Sequence, residues 1–343
     1  MSAGGETGTT LIWGSGAVGG VLGAHFARAG HRVLMVDRVA EHVAAMNADG
    51  LRIEGPVATF SQAVTAHTPD TVAGLYRTII LAVKAHHTEA ALAQLLPHLH
   101  PDGCVVSAQN GLNEKRIAEA VGPERTVGCF VNFGADWLAP GRILFGNRAA
   151  VALGELDGRD SERLAQLHEL FRLVEPGAVV TNNIWGYLWG KLGYGALLFA
   201  TALTHASMAD ALAMEEFQAV YASLGREVMA LARAEGVTPI GFNGFDPAAF
   251  AAGNEPGLRR SLEAMVAHNR NTAKTHSGIY RDLAVRRRKT EVDAQLGVLL
   301  PIAERRRVPL RAVPRLIELV HDVEAGRREQ GTDLLEELLK SCS

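Results

Sequence analysis

Cysteine is scarce in this chain of 343 residues: Cys104, Cys129 and Cys342 are the only three, an odd number at wide separations. That fits neither a disulfide framework nor a zinc site, and it suits a reducing, cytoplasmic setting. Charge of one sign is lacking too. Lys and Arg number 34 against 37 Asp and Glu, a net charge of −3, so no global field favours nucleic acid or an anionic membrane. The longest apolar runs, 78–83 and 197–203, fall far short of the roughly 20 residues that span a bilayer. The opening MSAGGETGTT has neither the basic region nor the long apolar core of a secretory signal. A soluble protein with a small-molecule partner is expected. With 48% hydrophobic and 21% charged residues the chain is too apolar for intrinsic disorder, and at about 150 residues per domain its length allows two.

From Thr9 to about Val180, short β-branched runs alternate with longer amphipathic segments, the pattern of βαβ units. Strands are predicted at 10–13, 33–37, 78–83 and 104–107, with helices at 18–29 and 88–96 between them. The runs 142–145 and 149–154, joined by a turn containing Gly146 and Asn147, predict an antiparallel edge. Beyond Asn182 helical periodicity takes over at 188–203, 214–234, 257–271, 282–306 and 313–325, interrupted by a Gly- and Pro-containing connection at 236–257. The expected organisation is an α/β domain over 1–181, then an all-helical domain over 182–343.

Gly14-Ser15-Gly16-Ala17-Val18-Gly19 fits G-x-G-x-x-G directly after the first strand and at the opening of a helix. In that context the first glycine permits the tight turn, the second lets the backbone approach a pyrophosphate, and the third allows close helix packing. The plain alternative is a tight strand-to-helix turn. Asp37 ends the second strand near the offset at which an acid binds the adenosine ribose hydroxyls of NAD, whereas Arg38 beside it would attract the 2′-phosphate of NADP. A nicotinamide dinucleotide is expected, and the pair leaves its phosphorylation open. Lys84 lies just past an apolar strand, where open α/β sheets bind ligands, and Asn110 is placed in the same way. His86 and His87 have no carboxylate or cysteine at ligand spacing, so no metal is expected.

With the Gly-rich loop, Leu81-Ala82-Val83-Lys84-Ala85, Gln109-Asn110-Gly111-Leu112, Trp189-Gly190-Lys191-Leu192 and Lys289-Thr290-Glu291-Val292-Asp293, in that order, the chain resembles the ketopantoate reductase (2-dehydropantoate 2-reductase) family. The resemblance implies a Rossmann-type NAD(P)-binding domain followed by a helical domain, an active site in the cleft between them, and NADPH as hydride donor, with NAD kept open by Asp37. It assigns the catalytic lysine to Lys191 and the motif glutamate to Glu291, with Lys84 and Asn110 near both cofactor and substrate and Ser277 as a further substrate contact. The chemistry is consistent: hydride addition to a ketone makes an alkoxide, which needs a nearby proton donor or positive charge.

Departures from the family matter as well. Asparagines that hold substrate one and two turns after the lysine are replaced by Gly195 and Phe199, which suggests a pocket roomier at one point and drier at another, suited to a bulkier, more apolar carbonyl compound. His276, Asn269, Asn271 or Ser277 could restore the lost polar contacts. The expected activity is reduction of a 2-oxo acid or related carbonyl, with imine or secondary-alcohol chemistry and a cofactor-sensing regulator without turnover as the alternatives. A homodimer is entertained; nucleic acid and membrane are not.

Overall fold

The computed structural model describes residues 8–272 and 274–342; positions 1–7 of the stretch read for an export signal lie outside them. The chain divides into two units, one ending at Ile184 and the other beginning at Trp185.

The first unit contains strands β1 (Thr10–Trp13), β2 (Val33–Val36), β3 (Leu51–Glu54), β4 (Phe60–Gln62), β5 (Thr65–His67), β6 (Tyr76–Leu81), β7 (Leu99–Ser107), β8 (Thr126–Val131), β9 (Gly134–Ala139), β10 (Arg142–Asn147), β11 (Val151–Glu155) and β12 (Val179–Val180). Its helices are α1 (Ala17–Arg28), α2 (Ala40–Asp49), α3 (Thr88–Leu95), α4 (Asn113–Val121) and α5 (Glu162–Arg172). Eight strands form one sheet in the order β12-β11-β8-β7-β6-β1-β2-β5. The ladders from β8 through β5 are parallel, and β11 meets β8 antiparallel. Strands buried on both faces read as unbroken apolar runs. In β1 the pleat sends Leu11 and Trp13 to a core with Ile79, Leu81 and Val105, and Ile12 to the opposite core with Phe26, Met35 and Phe171.

A second sheet, β4-β3-β10-β9, was not legible in the sequence. It corrects the expected edge: β10 and β11 are not partners. β10 pairs antiparallel with β9 in the small sheet, whereas β11 pairs antiparallel with β8 in the large one. Two extended runs with a turn between them encode strands but not which edges they meet, since pairing depends on neighbours far away in sequence.

The second unit contains α6 (Ile184–Thr201, whose first residue closes the first unit), α7 (Met208–Ala213), α8 (Gln218–Ala234), α9 (Glu255–Arg270), α10 (Gly278–Tyr280), α11 (Leu299–Arg306), α12 (Ala312–Glu324) and α13 (Thr332–Leu339). The long helix expected over 282–306 is broken. Arg287 adopts a left-handed φ of 47°. The carboxylate of Asp282, 6% exposed, accepts from Arg286 at 3.2 Å and from Arg288 at 2.9 Å, and its carbonyl accepts the Arg288 N–H at 2.9 Å. The residues 286–289 thus form a loop, with Arg286 and Arg288 gathered around one buried acid, rather than part of a helix. No helix among the described residues is long and apolar enough to cross a membrane.

Candidate active site

The Gly-rich turn carries the chain from β1 into α1, and the second strand holds it. The N–H groups of Gly14 and Ser15 donate to the Val36 carbonyl at 2.8 and 3.1 Å, and the Ser15 hydroxyl donates to it at 3.1 Å. Buried His42 grips the turn from the other side. Its Nε2 donates to the Ser15 carbonyl at 2.9 Å while its Nδ1 accepts the Gly141 N–H at 2.8 Å, an arrangement that needs the neutral Nε2–H tautomer.

The three glycines of the fingerprint separate by what surrounds them. Gly14 has φ +95° and a Cβ there would come within 2.7 Å of the Val83 N. A Cβ at Gly19 would overlap the Gly14 carbonyl oxygen. Gly16 is different: nothing of the protein lies within 4 Å of where its Cβ would be. Packing of the fold therefore demands Gly14 and Gly19, whereas Gly16 faces open space at the start of a 12-residue helix without a side-chain cap or an acid in its first turn. Free helix N–H groups beside a bare backbone suit an anionic diphosphate. The residues fit a dinucleotide.

Asp37, Lys84 and Asn110 follow the ends of β2, β6 and β7, on the same side of the sheet and within two strands of β1. Strand order runs outward from β1 in both directions, the switch point at which α/β sheets take ligands. Asp37 turns one carboxylate oxygen back to accept the Val39 N–H at 3.0 Å, and Arg38 is exposed. The His87 imidazole is held at about 4, below its ordinary value, first by burial and then by the charges of His86, Arg38 and Lys84. Two sequence-distant cations therefore act on one spot. Gln109, 5% exposed, donates through Nε2 to the Val83 carbonyl and to Thr88 Oγ1, both at 2.8 Å. Thr88 passes its hydrogen to Asn113 Oδ1 at 3.1 Å, and Asn113 donates to the Asn110 carbonyl at 2.6 Å. This directional chain ties the loop bearing Lys84 to the loop bearing Asn110.

In the second unit, α6 reads IWGYLWGKLGYGALLFAT, apolar nearly all round, as befits a buried helix. Its glycines let neighbours approach: the Ile240 backbone lies against Gly190, and Met229 and Phe245 lie against Gly193. Lys191 is the one charged residue of the helix and is half-buried. Glu291, also half-buried, follows a fixed residue, since buried Thr290 donates both its N–H and its hydroxyl to Glu324 Oε1 at 2.7 Å.

Two family models described as "Ketopantoate reductase PanE/ApbA" and "Ketopantoate reductase PanE/ApbA C terminal" match residues 10–158 and 183–324. The chain belongs to the ketopantoate reductase family. It is 31% identical to the 2-dehydropantoate 2-reductase of Mesorhizobium japonicum over 67% of this chain and 78% of that one. A putative ketopantoate reductase from Ralstonia solanacearum MolK2 superposes with a TM-score of 0.77 at 27% identity, covering 94% of this chain and 98% of that one. D-mandelate dehydrogenase in a ternary structure with NADH and anilino(oxo)acetate shares the fold, with a TM-score of 0.80 at 21% identity over 93% and 99% of the two chains. As a ketopantoate reductase family member the chain is an oxidoreductase that uses a nicotinamide cofactor, with a mixed α/β domain followed by a helical one.

Other positions singled out by the family pattern are occupied in different ways. Ser277 is 3% exposed and caps α10, accepting the Tyr280 N–H at 3.1 Å. Asn269 is buried and donates to the Met265 carbonyl at 2.8 Å and to Tyr194 at 3.3 Å, while Asn271 is exposed at the end of α9. The His276 ring bonds Thr275 Oγ1 at 3.0 Å and the His205 carbonyl at 3.3 Å. Phe199 is 0% exposed, a core residue rather than a pocket wall. Sequence reasoning missed His42, Thr88 and Asn113. Each acts through a partner distant in the chain, and a lone polar residue in an amphipathic helix carries no signal for that.

Proposed function

We propose that this chain reduces a 2-oxo acid with NADPH, and that Lys191 supplies the proton. The observation that carries this reading is Lys191 itself, a single half-buried charge on an otherwise uncharged helix. A lysine so placed can lend a proton or a positive charge to a reacting oxygen. The relatives named for 2-dehydropantoate support the substrate class. With its pyrophosphate at the Gly14–Gly19 turn, a bound nicotinamide dinucleotide would supply a hydride. Lys191 then protonates the developing alkoxide, with Glu291 orienting it directly or through water, and Asn110 and Lys84 hold the substrate and the cofactor. NADPH rather than NADH is favoured by the exposed guanidinium of Arg38, by its joint action with Lys84 on His87, and by the commitment of Asp37 to its own turn.

The test follows NADPH and NADH oxidation across a panel of 2-oxo acids that includes 2-dehydropantoate. Lys191→Ala should lower kcat by about 10²- to 10⁴-fold while leaving NADPH affinity nearly intact. Wild-type kcat in that variant would remove the mechanism. Tight NADPH binding without turnover of any panel member would return the chain to the cofactor-sensing alternative.

A further inference from the structure

Lys191 and Gly195 are four residues apart on α6 and share one face. Gly195 is half-buried, and a Cβ there would meet a single neighbouring atom within 4 Å outside its own helix, Gln295 Oε1 at 3.8 Å. Close packing does not demand this glycine, in contrast to Gly190 and Gly193 on the same helix, where a Cβ would collide with Ile240 or with Met229 and Phe245. Beside Lys191 the helix therefore carries an opening. Gln295 reaches its edge from the wide turn Asp293–Gly297, where its N–H donates to the Glu291 carbonyl at 2.8 Å. The Gln295 side chain is half-buried, and among the described residues its amide has no hydrogen-bond partner. An amide in that position offers both a donor and an acceptor.

We infer that Gln295 is a specificity-determining residue, whose amide hydrogen-bonds a polar substituent of the substrate in the opening left by Gly195. The inference rests on the reductase reading. Neighbours four apart on a helix have Cβ atoms roughly 5–6 Å apart, so a short 2-oxo acid whose ketone meets the Lys191 side chain has its next functional group within reach of the Gln295 amide. The favoured class is a 2-oxo acid carrying a hydroxyl or second carbonyl beyond the ketone, in preference to its apolar isostere. The apolar pocket expected from Phe199 is not needed, because that ring lies wholly in the core.

Two acids that differ by one hydroxyl, 2-dehydropantoate and 3,3-dimethyl-2-oxobutanoate, test it. Wild-type kcat/KM should favour the hydroxylated acid by about 3- to 10-fold, the range of one neutral hydrogen bond. Gln295→Met, similar in volume but without the amide, should bring the ratio to about one, with the loss in KM rather than kcat. Gly195→Leu, which fills the opening while Gln295 keeps its amide, should abolish the same preference and keeps the test decisive if the first variant folds poorly. A wild-type ratio of one or less, or a ratio retained by a folded variant, would overturn the inference while leaving the reductase reading intact. Turnover of neither acid, nor of any other panel member, would sink both together.

Discussion

At the scale of single residues, a half-buried lysine, a bare glycine and a depressed imidazole carry the proposed chemistry. The imidazole offers a direct report on the cofactor. His87 stays neutral down to about pH 4 because burial and the nearby charges of His86, Arg38 and Lys84 disfavour its charged form. A 2′-phosphate among those cations would favour the imidazolium instead. The His87 pKa should therefore rise when NADP⁺ binds, with proton uptake, and should stay low when NAD⁺ binds. Titration of the histidine ring protons by NMR, with and without each dinucleotide, reads this. Equal behaviour with the two cofactors would place the phosphate elsewhere.

Among the elements, the strand–turn–helix from β1 to α1 shows how one motif serves both folding and binding. Gly19 cannot bear a side chain because the Gly14 carbonyl occupies the space, whereas Gly16 has only open space before it. Gly19→Ala should lower the denaturation midpoint, since overpacking a tight contact costs about 1–3 kcal/mol. Gly16→Val should leave that midpoint close to wild type and weaken NADPH binding severely, as measured by fluorescence titration. Equal loss of stability in both variants would mean that Gly16 is structural too. The chain Gln109–Thr88–Asn113–Asn110 works at the same scale, giving two strand-end loops a common reference without a metal or disulfide.

Over the whole molecule, stability of the first unit depends on groups that a nearly neutral composition conceals. Glu155, 1% exposed at the end of β11, accepts from Ser161 at the start of α5 and from Arg163, whose Nε lies at 2.8 Å; Arg163 also donates to the Glu124 carbonyl. One ion pair thus joins a strand, a helix and a distant turn. Arg163→Met leaves the buried carboxylate unpaired and should cost about 3–5 kcal/mol in urea unfolding. The double variant with Glu155→Leu should recover much of that loss, because no uncompensated charge remains. A single variant as stable as wild type would show that solvent reaches the pair.

The sequence by itself determined the order of the parts. Period-two and period-3.6 apolar patterns are local, so β1, β6, α1 and α9 could be read with small boundary errors, and G-x-G-x-x-G followed by Asp37 and Arg38 marked a candidate dinucleotide site through context and spacing. Lys191 was singled out by the family resemblance, through the motif Trp189-Gly190-Lys191-Leu192. Pairing and close approach were left to the tertiary structure. Only the fold sends β10 and β11 to different sheets and sets Gln295 against Gly195 across 100 residues of chain. Each of these depends on which surfaces meet once the apolar faces are buried, and that information lies in contacts between distant segments rather than in any window of the chain.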